Sequence, residues 1–195
     1  IISSNNSPDV PFDRSINPYQ GCEHGCVYCF ARPTHSYLDL SPGLDFETQI
    51  FYKPNAVAKL LEAWEKPGYD CKPITLGANT DPYQPAERRL ALTRDLLAVF
   101  LQHRHPVTIV TKGALVCRDI DLLAELAASG LCSVAINLPT LDPDLKRIME
   151  PRVPSAASRL KAIDALSTAG IPTDVLVAPL IPAINDHELE KILKS

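Results

Sequence analysis

Asn17-Pro18-Tyr19-Gln20-Gly21-Cys22-Glu23-His24-Gly25-Cys26-Val27-Tyr28-Cys29-Phe30 holds three of the chain's six cysteines at C-x3-C-x2-C spacing. Glycine stands directly before Cys22 and before Cys26, where it lets the backbone fold tightly around a small object. Three thiolates aimed at one point suit a soft metal, and clustered cysteines are the usual protein ligands of iron–sulfur centres. A structural zinc site closes with four ligands, and this run supplies three. A 4Fe–4S cluster held by three cysteines keeps one iron open to a small molecule. Two other readings stand beside this one: a zinc knuckle completed by His24 or His35, and a redox-active dithiol. His24 lies between two of the cysteines, which strains simultaneous coordination, and is expected as a solvated loop residue.

Composition narrows the field. The 195 residues are 46% hydrophobic and 22% charged, enough apolar content for a single domain over 1–195 with a sizeable core. No apolar run approaches the roughly 20 residues of a membrane-spanning helix, and Ile1-Ile2-Ser3-Ser4 is no signal peptide. The first residue is Ile1 rather than Met, which reads as a fragment or a trimmed domain. A net charge of −4 and a pI near 5.7 argue against a broad phosphate-neutralising surface. Cys71, Cys117 and Cys132 are scattered, so no disulfide framework is expected and a reducing cytoplasm is the expected compartment.

Along the chain, Val10 to Asn17 predicts a first strand that delivers the cysteine loop, and Phe30 to Leu44 predicts a loop. Phe46 to Tyr52 predicts a short strand, and Val57, Leu60, Leu61 and Trp64 repeat at helical spacing. Strands are then expected over Pro73–Gly77, Val107–Thr111, Ser133–Leu138 and Thr173–Ala178. Helix faces fall between them: Leu92 to Leu101, Leu122 to Leu126, Leu145 to Met149, and Leu160, Ile163 and Leu166 after a Ser155 cap. Asp186 is expected to cap a last helix. Alternation of this kind means an α/β fold with a parallel sheet and right-handed crossovers. About five units without an obvious closing pair suggest a partial barrel rather than a full eightfold one; periodicity by itself leaves an open barrel and a doubly wound sheet both standing.

In parallel folds the chemistry gathers where strands end. Asn79-Thr80-Asp81, set before Pro82, reads as a rigid binding loop or, alternatively, as a turn. Lys112 follows an apolar strand, where it meets an anion or reaches solvent. Asn137 ends the next strand. The loop Ala178 to Asp186 is largely apolar and suits packing against a flat ring or ordinary core closure.

With Tyr28 just before the last cysteine, the run resembles the C-x3-C-x-aromatic-C signature of the radical S-adenosylmethionine (radical SAM) superfamily. Thr80 to Pro85 with Glu87, Thr111-Lys112, Glu150 to Ser155 and Val177 to Asp186 resemble its spore photoproduct lyase-like branch, often labelled DNA repair photolyases. The resemblance implies a partial (β/α)6 TIM-like barrel, here truncated before its last β/α unit, and a radical SAM enzyme. It implies a 4Fe–4S cluster on Cys22, Cys26 and Cys29 whose open iron chelates S-adenosyl-L-methionine. By the same resemblance Thr80 and Asp81 would hold the amino end of S-adenosylmethionine and Lys112 its carboxylate. Asn137 would reach the carboxylate or ribose, and backbone near Tyr28 and Ile181 would face the adenine. Arg152 would face the cofactor or the substrate, or stand exposed. A flavodoxin or ferredoxin electron donor is implied, with a nucleic-acid base as one possible substrate. One departure stands out: photoproduct lyases carry a hydrogen-donating cysteine where this chain has Asn79. The competing class is a zinc-binding, non-enzymatic interaction module.

Overall fold

The computed structural model describes residues 1–8 and 10–195. Its strands are β1 (Ser3–Ser4), β2 (Arg14–Ile16), β3 (Tyr19–Gln20), β4 (Phe51–Tyr52), β5 (Ile74–Leu76), β6 (Val107–Thr111), β7 (Cys132–Asn137) and β8 (Thr173–Leu176). Five of them, β2-β5-β6-β7-β8, pair in parallel in that order, with β1 antiparallel on the outer edge of β2. The helices are α1 (Asp45–Thr48), α2 (Ala56–Trp64), α3 (Glu87–Leu90), α4 (Leu92–Gln102), α5 (Ile120–Ala128), α6 (Pro143–Met149), α7 (Ala156–Thr168) and α8 (Leu189–Leu193). Helical segments link successive parallel strands, as crossovers require.

Side chains alternate across a strand, and here the two faces differ sharply. One face carries Ile16, Ile74, Leu76, Val107, Ile109, Val134 and Ile136, all buried against Leu60, Leu96, Leu97, Phe100, Leu123, Leu126 and Leu166 of the helices. Each fully buried aliphatic side chain of this kind contributes about 1.5–3 kcal/mol. The other face is polar and then small. Register places Ser15, Thr75, Thr108 and Ser133 side by side on four strands, with the Thr75 and Thr108 hydroxyls 2.8 Å apart. Two residues further along stand Gly77, Val110 and Ala135, whose small bulk leaves space above the hydroxyl row. Gly77 has to be glycine: its φ is +91° and a Cβ there would sit 2.2 Å from the Val110 carbonyl oxygen.

Several expectations shift. The segment expected as a strand over Phe46–Tyr52 begins as α1, because Phe46 turns under the cysteine loop and is 1% exposed; only Phe51–Tyr52 is extended, paired with β3. The expected loop after Phe30 contains a 3-10 helix, Arg32–Leu38, with proline in its first turn. The buried face of α7 is Arg159, Ala162 and Leu166, one residue round from the apolar stripe, so an arginine enters the core. Asp186 does not cap the final helix. It opens the 3-10 turn Asp186–Glu188 and accepts only from the His187 N–H at 3.1 Å. Its neighbour Asn185 ties the loops instead: Nδ2 donates to the Pro139 and Pro179 carbonyls, both 2.8 Å, and Oδ1 accepts from Ile181 N–H. Among the described residues no helix is long and apolar enough to cross a membrane.

Candidate active site

The cysteine loop leaves β3 and is held on all sides. Cys22 N–H donates to the Phe46 carbonyl at 2.9 Å, and the wholly buried Gln84 holds Glu23 N–H and the Gly21 carbonyl at 3.0 and 3.1 Å. Arg32 clamps the Cys26 carbonyl with Nε and Nη2 at 3.0 and 2.9 Å. From the far side of the sheet the segment Met149–Arg152 meets the loop: Val27 N–H donates to Met149 O, and Arg152 N–H to His24 O. Gly25, at φ +66°, lies against the Arg152 guanidinium, and a Cβ there would come 2.0 Å from Nη2.

These restraints bring Cys22, Cys26 and Cys29 to one end of a cavity of about 370 Å³ at the C-terminal edge of the parallel strands. Tyr28, Phe30, Asn79, Asp81, Lys112, Asn137, Ala178 and Pro179 complete much of its wall. Burial holds the Cys26 thiol up at about 12, with the nearby Lys112 charge pulling the other way, and also raises Cys29. Metal binding must therefore displace protons. Among the described residues, no group of three or more His, Cys, Asp or Glu side chains is arranged to hold a metal ion, so neither His24 nor His35 completes a four-ligand zinc site.

Lys112 enters the cavity with its ammonium 5.8 Å from the centre of the Tyr28 ring. It makes no ion pair with a carboxylate among the described residues. Asn137 is 5% exposed; Nδ2 donates to the Ala178 carbonyl at 2.8 Å, while the buried Oδ1 has no partner. Asp81 borders the cavity, but its oxygens are engaged. Oδ1 accepts from Tyr83 N–H (2.8 Å) and Thr111 Oγ1 (2.6 Å), and Oδ2 accepts from Lys112 N–H at 2.7 Å. His24 Nδ1 stands 3.3 Å from Oδ2, an ion-pair separation without hydrogen-bond alignment. Burial alone would lower the His24 imidazolium and raise the Asp81 carboxyl; their mutual attraction wins, leaving His24 near about 10 and Asp81 at about 2.

Two positions expected at the cofactor lie off the cavity wall. Thr80 does not line the cavity; its hydroxyl donates to the Tyr19 carbonyl at 2.8 Å. Ile181 also stands off the wall, its N–H bound to Asn185 Oδ1 at 2.6 Å, and Ala178 and Pro179 occupy that side. Of the alternatives for Arg152, the exposed one holds: it is half exposed behind the cysteine loop, on the Glu23 carbonyl and the Glu47 carboxylate. His24 is 3% exposed rather than solvated. Sequence reasoning gave no role to Glu150, named only as the start of a matching segment, or to Arg159; both are completely buried.

The family model described as "Radical SAM superfamily" matches residues 16–195. The chain belongs to the radical SAM superfamily. Membership implies a 4Fe–4S cluster and S-adenosylmethionine, and the cavity fits both: three cysteines at one end, with Lys112, which has no carboxylate partner among the described residues, and the Asn137 side chain elsewhere on its wall. An uncharacterized protein of Mycobacterium tuberculosis is 43% identical over 190 residues, covering 96% of this chain and 56% of its own length. Another, from Methanocaldococcus jannaschii, is 29% identical over 173 residues, 89% of this chain and 62% of the relative. This radical SAM chain thus spans a little over half the length of the relatives it matches. Its fold is that of spore photoproduct lyase: the complex with dinucleoside spore photoproduct superposes with TM-score 0.67 at 17% identity, covering 100% of this chain and 55% of that one. A form with bound AdoMet and dinucleoside spore photoproduct gives TM-score 0.63 at 18% identity, covering 92% and 48%. The partial parallel barrel expected from the cysteine motif is therefore the observed architecture.

Proposed function

We propose that this chain is the catalytic core of a radical SAM enzyme, with the cluster on Cys22, Cys26 and Cys29 and S-adenosylmethionine in the adjoining cavity. The carrying observation is that Cys22, Cys26, Cys29, Lys112 and Asn137 all line one cavity at the strand ends. When bound, the reduced cluster and S-adenosylmethionine together supply a 5′-deoxyadenosyl radical that abstracts hydrogen from a substrate.

The chain's own part is binding and exclusion. Lys112 meets the methionyl carboxylate as a charge-assisted partner. Asn137 Oδ1 accepts from the ammonium or a ribose hydroxyl, while the Tyr28 ring and the Ala178-Pro179 edge border the adenine. Asp81 has about four acceptor positions; three accept hydrogen bonds within the fold and His24 stands against Oδ2, so it braces the wall and sets its negative charge rather than gripping the ammonium itself. Thr80 supports the same loop from behind. The apolar walls exclude water from a reactive intermediate.

The substrate reading is a nucleobase. It is supported by the dinucleoside bound in the lyase of the same fold and by Phe30, 74% exposed at the cavity rim, an aromatic surface on which a base can stack. A flavodoxin or ferredoxin would reduce the cluster. The test is anaerobic reconstitution followed by dithionite and S-adenosylmethionine. Release of 5′-deoxyadenosine by the wild type, and its loss in Cys26→Ala, supports the proposal; release that survives Cys26→Ala refutes the ligand assignment.

A further inference from the structure

Glu150, at the end of α6, and Arg159, in α7, are both 0% exposed, with Glu150 Oε2 and Arg159 Nη1 2.8 Å apart. Burying a charge pair is costly, and well-packed apolar residues often serve the fold better, so what the pair touches is informative. Glu150 Oε1 accepts from the Tyr28 hydroxyl. Arg159 Nη1 donates to the Asn137 main-chain carbonyl at 2.9 Å. Among the described residues, Nε and Nη2 of Arg159 and Oε2 of Glu150 find no hydrogen-bond partner, so the guanidinium is held by its ion pair with Glu150 and its hydrogen bond to the Asn137 carbonyl. Tyr28 and Asn137 both line the cavity; Glu150 and Arg159 do not. One buried pair therefore braces two walls of the space from outside it.

We propose that Glu150 and Arg159 are positioning residues for S-adenosylmethionine, fixing the Tyr28 ring and the Asn137 amide at the separation the cofactor needs. This rests on the cofactor reading given above. Tyr28 lies between two cluster ligands, and Glu150 accepts the hydrogen bond of its hydroxyl. Asn137 ends β7, and its side chain already reaches across to Ala178; Arg159 fixes the main chain from which it does so. A positioning role predicts weaker cofactor binding with the fold and the cluster intact, whereas a merely structural role predicts loss of all three.

The test uses reconstituted protein and equilibrium dialysis of S-adenosylmethionine, without turnover, alongside iron content and the melting temperature of the cluster-free form. Glu150→Gln/Arg159→Met removes both charges at similar volume and keeps an acceptor for Tyr28. It should fold, load iron fully and bind S-adenosylmethionine about tenfold more weakly. Tyr28→Phe removes a single hydroxyl, is expected to fold whatever the double variant does, and should weaken binding severalfold with iron unchanged. Affinity within twofold of the wild type in Tyr28→Phe, or in a folded double variant, overturns the proposal. So does iron lost in parallel with affinity, which would make the pair a support of the cysteine loop alone. If the wild type itself binds no S-adenosylmethionine, the underlying cofactor reading falls and takes this inference with it. Wild-type binding beside unchanged variants overturns the inference alone.

Discussion

His24 Nδ1 lies 3.3 Å from Asp81 Oδ2, with side chains only 3% and 8% exposed. This contact joins the cysteine loop to the loop after β5, whose Asp81 also holds the start of the Lys112 segment through Thr111 Oγ1 and Lys112 N–H. One carboxylate thus sets the relative placement of three loops around the cavity.

Removing one partner of such a pair leaves the other charged and buried, which costs about 3–5 kcal/mol. His24→Ala is therefore expected to lower the unfolding free energy of the cluster-free protein by that order in a urea titration. A loss below about 1 kcal/mol would show that the pair braces nothing.

Gly25→Ala forces a Cβ into the Arg152 guanidinium at a residue with φ +66°. The expected cost is on the order of 1–3 kcal/mol, from backbone strain and displacement of Arg152. Adding Arg152→Ala should restore part of the stability, because the tightest contacts are then gone and only the strain and the approach to Glu47 Oε2 at 2.9 Å remain. If the double variant is no more stable than Gly25→Ala, the clash is not the cause.

Lys112→Met keeps the side-chain length and removes the charge. A lost charge-assisted bond of roughly 1.5–3 kcal/mol predicts S-adenosylmethionine binding weaker by about tenfold to a hundredfold, with iron content unchanged. Equilibrium dialysis reads this directly, and affinity within twofold of the wild type would remove Lys112 from the cofactor site.

Far from the cysteines, the His105 ring stacks on Trp64 with centroids 4.5 Å apart and meets Tyr69 Oη at 2.7 Å. Burial, aided by the nearby Arg14 and His103 charges, holds its pKa below the ordinary 6.5. Between its depressed value and 6.5 the unfolded chain binds the proton and the folded chain does not. Stability is therefore full above that window and declines as pH falls through it. His105→Phe should flatten the slope between pH 6.5 and the acid limb in a series of thermal melts; an unchanged slope would assign it to other groups.

Much of this was legible in the sequence, for physical reasons. Val107–Thr111 is a β-branched run, and a buried parallel strand was expected there with the observed bounds. The cysteine spacing pointed to one end of the sheet, and Lys112, Asn137 and Asp81, singled out because they follow apolar strands, all line the cavity there. What escaped was decided by tertiary packing. Nothing local distinguishes a solvated His24 from one buried against a carboxylate 57 residues later. Arg159 sits one position from an apolar helical stripe, and only the α7 packing turns it inward. Thr80 follows the strand as expected, yet its hydroxyl is taken by the Tyr19 carbonyl, a contact set by how β3 leaves the sheet.

The most direct test is the electron paramagnetic resonance spectrum of the reduced, reconstituted protein, recorded with and without S-adenosylmethionine. Three sulfurs that leave one iron open predict about four irons and four sulfides per chain and a cluster signal that changes when S-adenosylmethionine is added. A chain that takes up one zinc and no iron, or a cluster signal indifferent to S-adenosylmethionine, would contradict the account.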